Sequence, residues 1–233
     1  MKKVLGLFAA PASGNLEAAQ AYWNTDFRKA LLAMPEVTGH LLKLTHMQVR
    51  PLSQRPDVAP NLDWTGVSAM YFDTDESASA FIAAVSAHGV PGDHSVHLPK
   101  IMFFQTRELP MWDFGGPQNG PKVFHFFKAP VSLTKEESLK YWNEQNVKVC
   151  QGMGTAAFVA RYMQNHFVAS SEPVEPEYDF IGSPELWFNS VDDSQGGYRD
   201  SGKNSVRADD EDKFADRKST VSLVGEERIM PID

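Results

Sequence analysis

Tyr162, Gln164 and His166 follow one another at a spacing of two, so on an extended strand their side chains emerge on one face. Three polar groups in such a row are unusual on a strand expected to bury half its surface. A neutral imidazole is the natural proton shuttle near pH 7, and a phenol with a carboxamide can orient or polarise a carbonyl oxygen. Upstream, Leu139, Trp142, Asn146 and Val149 share one helix face by the i, i+3, i+4 rule. If that face meets the row, the groups converge on a small aromatic-walled space. His166 and Tyr162 are therefore the candidate catalytic pair. Gln164, Asn146, Trp142, His125 and Trp187 form the candidate substrate-binding set, with Trp142 and Trp187 as walls. His125 stands among Phe124, Phe126 and Phe127, and its parity sets it with Val123 and Phe127. It either enters the same space or is a hydrogen-bonded core imidazole.

Other chemistries find less support. His94 and His97 have i, i+3 spacing, but Pro91, Gly92 and Pro99 make that stretch a loop, and no third ligand stands at a fixed spacing. No metal site is expected. The chain has one cysteine, Cys150, which excludes an intramolecular disulfide and any multi-cysteine metal site. It lacks an identifiable basic partner and reads as a structural thiol. A nucleophile elbow and a phosphate-binding glycine loop are both missing. Haem would need an axial imidazole, for which His166 or His125 could serve, but no attachment motif exists. The expected cofactor set is empty.

The elements that must position these residues come from an internal repeat. Val4 to Pro11 reads Val-Leu-Gly-Leu-Phe-Ala-Ala-Pro, and Val123 to Pro130 reads Val-Phe-His-Phe-Phe-Lys-Ala-Pro, 119 positions on. Tyr22-Trp23-Asn24 and Tyr141-Trp142-Asn143 keep the same offset. Met70-Tyr71-Phe72-Asp73 answers Leu186-Trp187-Phe188-Asn189 at an offset of 116. The repeat divides the chain into two halves, residues 1–110 and 120–233, joined by a Gly- and Pro-rich stretch from Leu109 to Pro121. Met1 to Ala12 imitates a signal peptide, yet its apolar run recurs mid-chain, so it reads as a first strand, and with the lone cysteine the cytoplasm is the expected compartment.

Each half runs strand, helix, strand, strand, helix, strand. Ser13-Gly14-Asn15 opens the first helix of half one, and Thr134 with Glu137 makes a capping-box signature in half two. The second helix of half two is interrupted by the charged, Gly-rich stretch Gln195 to Asp212. The expected fold class is α+β: two ferredoxin-like β-α-β-β-α-β halves, their sheets packed face to face as an intramolecular dimeric α+β barrel.

Half two resembles the EthD-like branch of the dimeric α+β barrel superfamily. The residues that carry the likeness are Tyr141-Trp142, Arg161 to His166, Asp179…Gly182…Glu185-Leu186-Trp187-Phe188, Ala208 to Phe214, and Val224 to Met230. Half one keeps the plan through Tyr22-Trp23 and Tyr71-Phe72-Asp73 but has lost most polar marks, so it is expected to be mainly structural. One departure stands out: the family's usual histidine four residues after the helix Trp is Asn146 here, and Phe27 in half one. The resemblance implies cofactor-free isomerases, decarboxylases or monooxygenases of small cyclic molecules, or haem proteins. Fold alone does not choose among them.

Composition narrows the partners. The 233 residues carry 22 basic and 30 acidic side chains, a net charge of −8, which lacks the basic footprint of a nucleic-acid or anionic-membrane binder. No apolar run approaches the roughly 20 residues that span a bilayer. The expected function is a cofactor-independent lyase, isomerase or decarboxylase, moving a proton next to the carbonyl of a small, partly apolar metabolite. The alternatives are a non-catalytic binding or stress-response protein for a hydrophobic ligand, and a haem-dependent enzyme. A small-molecule substrate is the expected partner; an internally paired barrel needs no second subunit, and homo-oligomer formation stays open.

Overall fold

Strands buried on both faces, one by the barrel interior and one by covering helices, build a closed wall. The computed structural model describes residues 1–12, 15–50, 63–115, 120–171, 175–196 and 201–232. Its strands are β1 (Lys2–Ala9), β2 (Leu41–Val49), β3 (Trp64–Phe72), β4 (Ile101–Asp113), β5 (Gly120–Phe126), β6 (Val159–Ser170), β7 (Gly182–Phe188) and β8 (Val221–Met230). They pair in the order β1-β3-β2-β8-β5-β7-β6-β4, with β4 returning to β1, and every pairing is antiparallel.

This ring corrects the expected fold class. The two halves do not form separate ferredoxin-like units with facing sheets. They make one sheet of eight antiparallel strands closed on itself, with few helices, all packed outside. The seams explain it: β2 pairs with β8 from Leu44↔Met230 to Val49↔Gly225, and β4 with β6 from Phe104↔Ser170 to Asp113↔Arg161. Edge strands left open would expose rows of unpaired N–H and C=O groups, and closure removes every edge. The presumed linker is also corrected, since Leu109 to Asp113 continue β4. Ser13, Gly14, residues 116–119 of the joint and Gly197 lie outside the described residues.

Inward-facing side chains fill the barrel. Leu5, Leu7, Met47, Val67, Phe104, Phe124, Phe126 and Phe167 form its apolar core. Beside them is a charged cluster that the sequence did not reveal. Lys3 and Lys122 both reach Glu185, the latter at 2.6 Å, Lys122 also reaches Glu227, and Lys3 reaches Glu108 at 2.9 Å. All but Glu108 are buried.

Helices cover the outside. α1 (Leu16–Tyr22) continues through a π-helical turn, Trp23–Phe27, into α2 (Arg28–Leu32), and α3 is Asp75–His88. Trp23, Phe27, Leu31, Phe81 and Val85 pack on the outward side chains Val4, Phe8, Met70 and Phe103. In the second half, α4 (Lys135–Tyr141) continues through a π-helical turn, Trp142–Asn146, into α5 (Val147–Gly152). The Thr134–Glu137 capping box starts α4, with both reciprocal bonds formed. The stretch expected to be interrupted holds α6 (Val191–Gly196) and α7 (Ser201–Glu211). Among the described residues no helix is long and apolar enough to cross a membrane.

Candidate functional site

Between β5, β6 and β7 on one side and α4, α5 and α7 on the other lies a cavity of about 130 Å³. An apolar cavity near this size holds one benzene-sized ring. Trp112, Phe127, Trp142, Phe158, Leu186 and Phe214 wall it, and the polar groups that reach it include His125, Asn146, Tyr162, Arg207, Glu211 and Arg217.

Strand parity brings part of the expected set together. β6 turns Tyr162, Gln164 and His166 outward, toward the π-helical turn that carries Trp142. The Trp142 indole N–H donates to the Tyr162 hydroxyl oxygen at 2.9 Å, and Gln164 Nε2 donates to the same oxygen at 3.2 Å. Gln164 Nε2 also donates to the Trp142 carbonyl at 3.2 Å. A carbonyl only accepts, so the amide is fixed with its oxygen toward His166, whose Nε2 lies 3.0 Å away. His166 is thus the Nε2–H tautomer and donates to Gln164. Its ring stacks on Trp142 with centroids 5.0 Å apart, and its Nδ1 has no hydrogen-bond partner among the described residues.

The consequence falls on Tyr162. Its oxygen accepts twice, filling both lone pairs, and among the described residues no acceptor takes its own proton. A buried phenol O–H on a cavity wall is thereby presented as a donor. Burial above all raises its pKa, with the field of Cys150 adding to the shift, so the proton stays on at neutral pH. His166 is also buried; loss of solvation first, then the charges of Arg107 and Lys135, lower it to about 4.

The remaining expected residues divide. Asn146 reaches the cavity while donating to Asp210 Oδ2 at 2.8 Å, and Tyr141 holds the other oxygen of Asp210, also at 2.8 Å. His125 lines the cavity with Nδ1 2.8 Å from Ser222 Oγ. His166 and Gln164 stand behind Tyr162 and do not line it. Trp187 is placed elsewhere: it shares the inward face of Glu185, with the Lys122 ammonium 4.0 Å from its ring centroid, while Leu186 and Phe188 take the cavity side. Cys150 is a wall residue whose Sγ is 3.7 Å from Asn146 Oδ1, and burial first, then Glu211 and Asp210, push its thiol up to about 12. A thiol that is hardly ever ionised is a poor nucleophile.

In the sequence, the charged run Arg207 to Lys218 reads as a solvated face that could cap the site. Three of its members reach the cavity. Arg207 Nε lies 3.4 Å and Arg217 Nε 3.3 Å from different oxygens of Glu211. The signal was the i, i+4 pair Arg207–Glu211, which marks one face of a helix. Among the described residues no group of three or more His, Cys, Asp or Glu is placed to hold a metal ion.

Half one carries a counterpart closed by aromatics. His46 stacks on Trp23 with centroids 3.4 Å apart, and its Nδ1 lies 2.9 Å from Ser68 Oγ. Phe27, at the position of Asn146, packs on Phe8 at 5.3 Å between centroids.

Residues 131–218 match the EthD domain. No curated protein sequence matches the chain. Among solved structures, an anthrone oxidase-like protein superposes with a TM-score of 0.64 at 11% identity, over 98% of this chain and 92% of that one. A chlorite dismutase variant from Candidatus Nitrospira defluvii gives 0.51 at 12% identity, over 100% and 92%. A putative monooxygenase from Fusobacterium nucleatum subsp. nucleatum gives 0.50 at 8% identity, over 98% and 94%. At these identities the likeness is one of fold. The matched segment, residues 131–218, is the one that builds α4, α5, β6, β7 and α7 around the cavity, and over it the chain is similar to the EthD domain.

Proposed function

We propose that the cavity of the second half binds a small, largely apolar molecule through a carbonyl oxygen and catalyses proton transfer at the adjacent carbon. The observation that carries this reading is the Tyr162 hydroxyl, whose two acceptor positions are filled by Trp142 and Gln164 so that its proton is offered to the cavity. A preorganised donor of this kind stabilises an enolate oxygen, and such donors are typically worth roughly 10²–10³ in rate. His125 is assigned the acid–base role. With Nδ1–H given to Ser222 Oγ, Nε2 takes the proton from carbon, the bonding electrons move to the carbonyl oxygen, and the proton returns at another carbon or at the leaving position. His166 acts through Gln164 as a positioning residue. No cofactor is needed for this chemistry: a lyase or isomerase begins with this proton abstraction, whereas a decarboxylase forms the same enolate by releasing CO₂ and then takes a proton at that carbon. On this reading the first half is mainly structural, since aromatic side chains occupy the place equivalent to the cavity.

The test uses single-ring cyclic ketones and lactones in D₂O, with deuterium incorporation beside the carbonyl followed by NMR. Catalysed exchange is expected, falling roughly 10²-fold or more in Tyr162→Phe while binding persists. Binding across the panel without exchange would overturn the catalytic reading in favour of a ligand-sequestering protein.

A further inference from the structure

Two polar groups on the cavity wall have opposite hydrogen-bonding sense. Tyr162 offers a proton, because its oxygen already accepts from Trp142 and Gln164. Asn146, at the end of the π-helical turn that Trp142 begins, offers an acceptor, and the reason lies in its neighbour. Asp210 is buried and takes the Tyr141 hydroxyl on Oδ1 and the Asn146 amide on Oδ2, each at 2.8 Å. The Lys213 ammonium stands 3.5 Å from the same carboxylate. A carboxylate ringed by donors only accepts, so Asn146 must turn Nδ2 to it; the flipped amide would set oxygen against oxygen in a buried place. Oδ1 is thereby directed to the other side of the amide, toward Cys150 on the next turn of the helix, whose Sγ is 3.7 Å away. Asn146 and Cys150 both line the cavity, so the oxygen between them borders it. A thiol is a weak donor and takes at most one of the two lone pairs of an amide oxygen. Among the described residues no stronger donor reaches Oδ1. A buried acceptor left in this state favours a ligand that brings a donor. Phe27, at the equivalent place in half one, carries no such oxygen.

We infer that Asn146 is the specificity-determining residue of the cavity: its Oδ1 accepts from a hydroxyl of the substrate, a ring-sized hydroxy-carbonyl compound whose carbonyl oxygen accepts from Tyr162. This inference rests on the proposed use of the same cavity and names its substrate class. Asn146 reads the hydroxyl directly, whereas Asp210 and Tyr141 are positioning residues that hold the amide in its accepting orientation. An ether in place of the hydroxyl would set its own oxygen against Oδ1 and leave the acceptor unpaired. Two unlike groups also fix the orientation of the ring, with its carbonyl end on Tyr162.

Calorimetric titration of the wild-type protein with meta- and para-hydroxyacetophenone, each against its methyl ether, tests it. At least one phenol is expected to bind roughly tenfold or more tightly than its ether. Asn146→Leu should bring that phenol down to the affinity of the ether. Asp210→Asn supplies a second variant should the first fail to fold. Its new amide can accept or donate, so Asn146 is free to flip; the phenol should lose affinity and the ether gain it, whereas a merely structural Asp210 would weaken both alike. Equal affinities of phenol and ether for both isomers would overturn the inference with the cavity reading intact. So would a preference that survives in Asn146→Leu, since it would come from the size of the methyl group. Failure of all four compounds to bind would remove the cavity reading itself, and the inference with it.

Discussion

Tyr162 shows how one carbonyl can set the direction of a proton two side chains away. The Trp142 carbonyl accepts from Gln164 Nε2, which fixes the amide; the amide oxygen then fixes the His166 tautomer; and the same Nε2 joins the Trp142 indole on the Tyr162 oxygen. Each partner is buried, so any deletion leaves an unsatisfied group at the full cost of its desolvation. Tyr162→Phe is therefore expected to destabilise the protein by about 1–3 kcal/mol, because two buried N–H donors lose their acceptor at once. Gln164→Leu should cost a similar amount. Their effects should not add: in a double-mutant cycle by urea denaturation, an interaction of about 0.5–3 kcal/mol is expected. Strict additivity would mean that the Gln164–Tyr162 bond is not formed in solution.

At the scale of elements, the strands carry two messages on their two faces. The outward row of β6 was legible in the sequence, because period-two spacing is a property of any extended chain. The apolar face of α4 and its continuation was legible too, down to Trp142 and Asn146. The π-helical turn Trp142–Asn146 was not, since one widened turn leaves apolar spacing almost unchanged while rotating the residues beyond it. Closure was misread for a related reason. Hydrophobic pattern reports which face a strand buries, but it does not say whether its edge meets another edge, and the pairings of β2 with β8 and β4 with β6 join residues far apart in the chain. The inward charges stayed hidden because Lys3 and Lys122 sit at strand beginnings, where a lysine ordinarily marks the solvent boundary. Glu185 and Glu227 stood out only as marks of a family likeness.

Those inward charges tie β1, β5, β7 and β8 together. Glu185 is the hub: burial opposes its ionisation, but Lys122 and Lys3 overcome this and lower its pKa to about 2. Glu185→Leu would leave each buried ammonium with one carboxylate, Glu108 for Lys3 and Glu227 for Lys122, and a loss of up to about 3–5 kcal/mol is expected from denaturant titration at pH 7. Adding Lys3→Met to that variant should recover part of the loss, since the carboxylate it releases, Glu108, reaches solvent while Lys122 keeps Glu227. A double variant no more stable than the single one would show that the cluster does more than balance charge.

Over the whole molecule, the two halves repeat one arrangement, a buried imidazole stacked on the first tryptophan of a π-helical turn, and the repetition has a thermodynamic consequence. Burial lowers His46 to about 3 and is the main cause of lowering His166 to about 4, against an ordinary value of 6.5. In the unfolded chain both rings take up protons below about pH 6.5, while the folded protein refuses them. Stability is then complete above that pH and falls on acidification, levelling out only below the two folded values. Two groups give a slope approaching about 2.7 kcal/mol per pH unit between roughly pH 6 and 4.5, as 1.36 kcal/mol accompanies each proton. Glu185 adds its own loss only at lower pH, between the ordinary carboxylate range and about 2. The urea midpoint should accordingly drop steeply from pH 6.5 to pH 5. Replacing one imidazole, as in His46→Leu or His166→Leu, should halve that slope whatever it does to stability at pH 7.5. A midpoint that stays level across this interval would mean that the rings are hydrated in solution, and that the tautomer chain behind Tyr162 is not held as the structure has it.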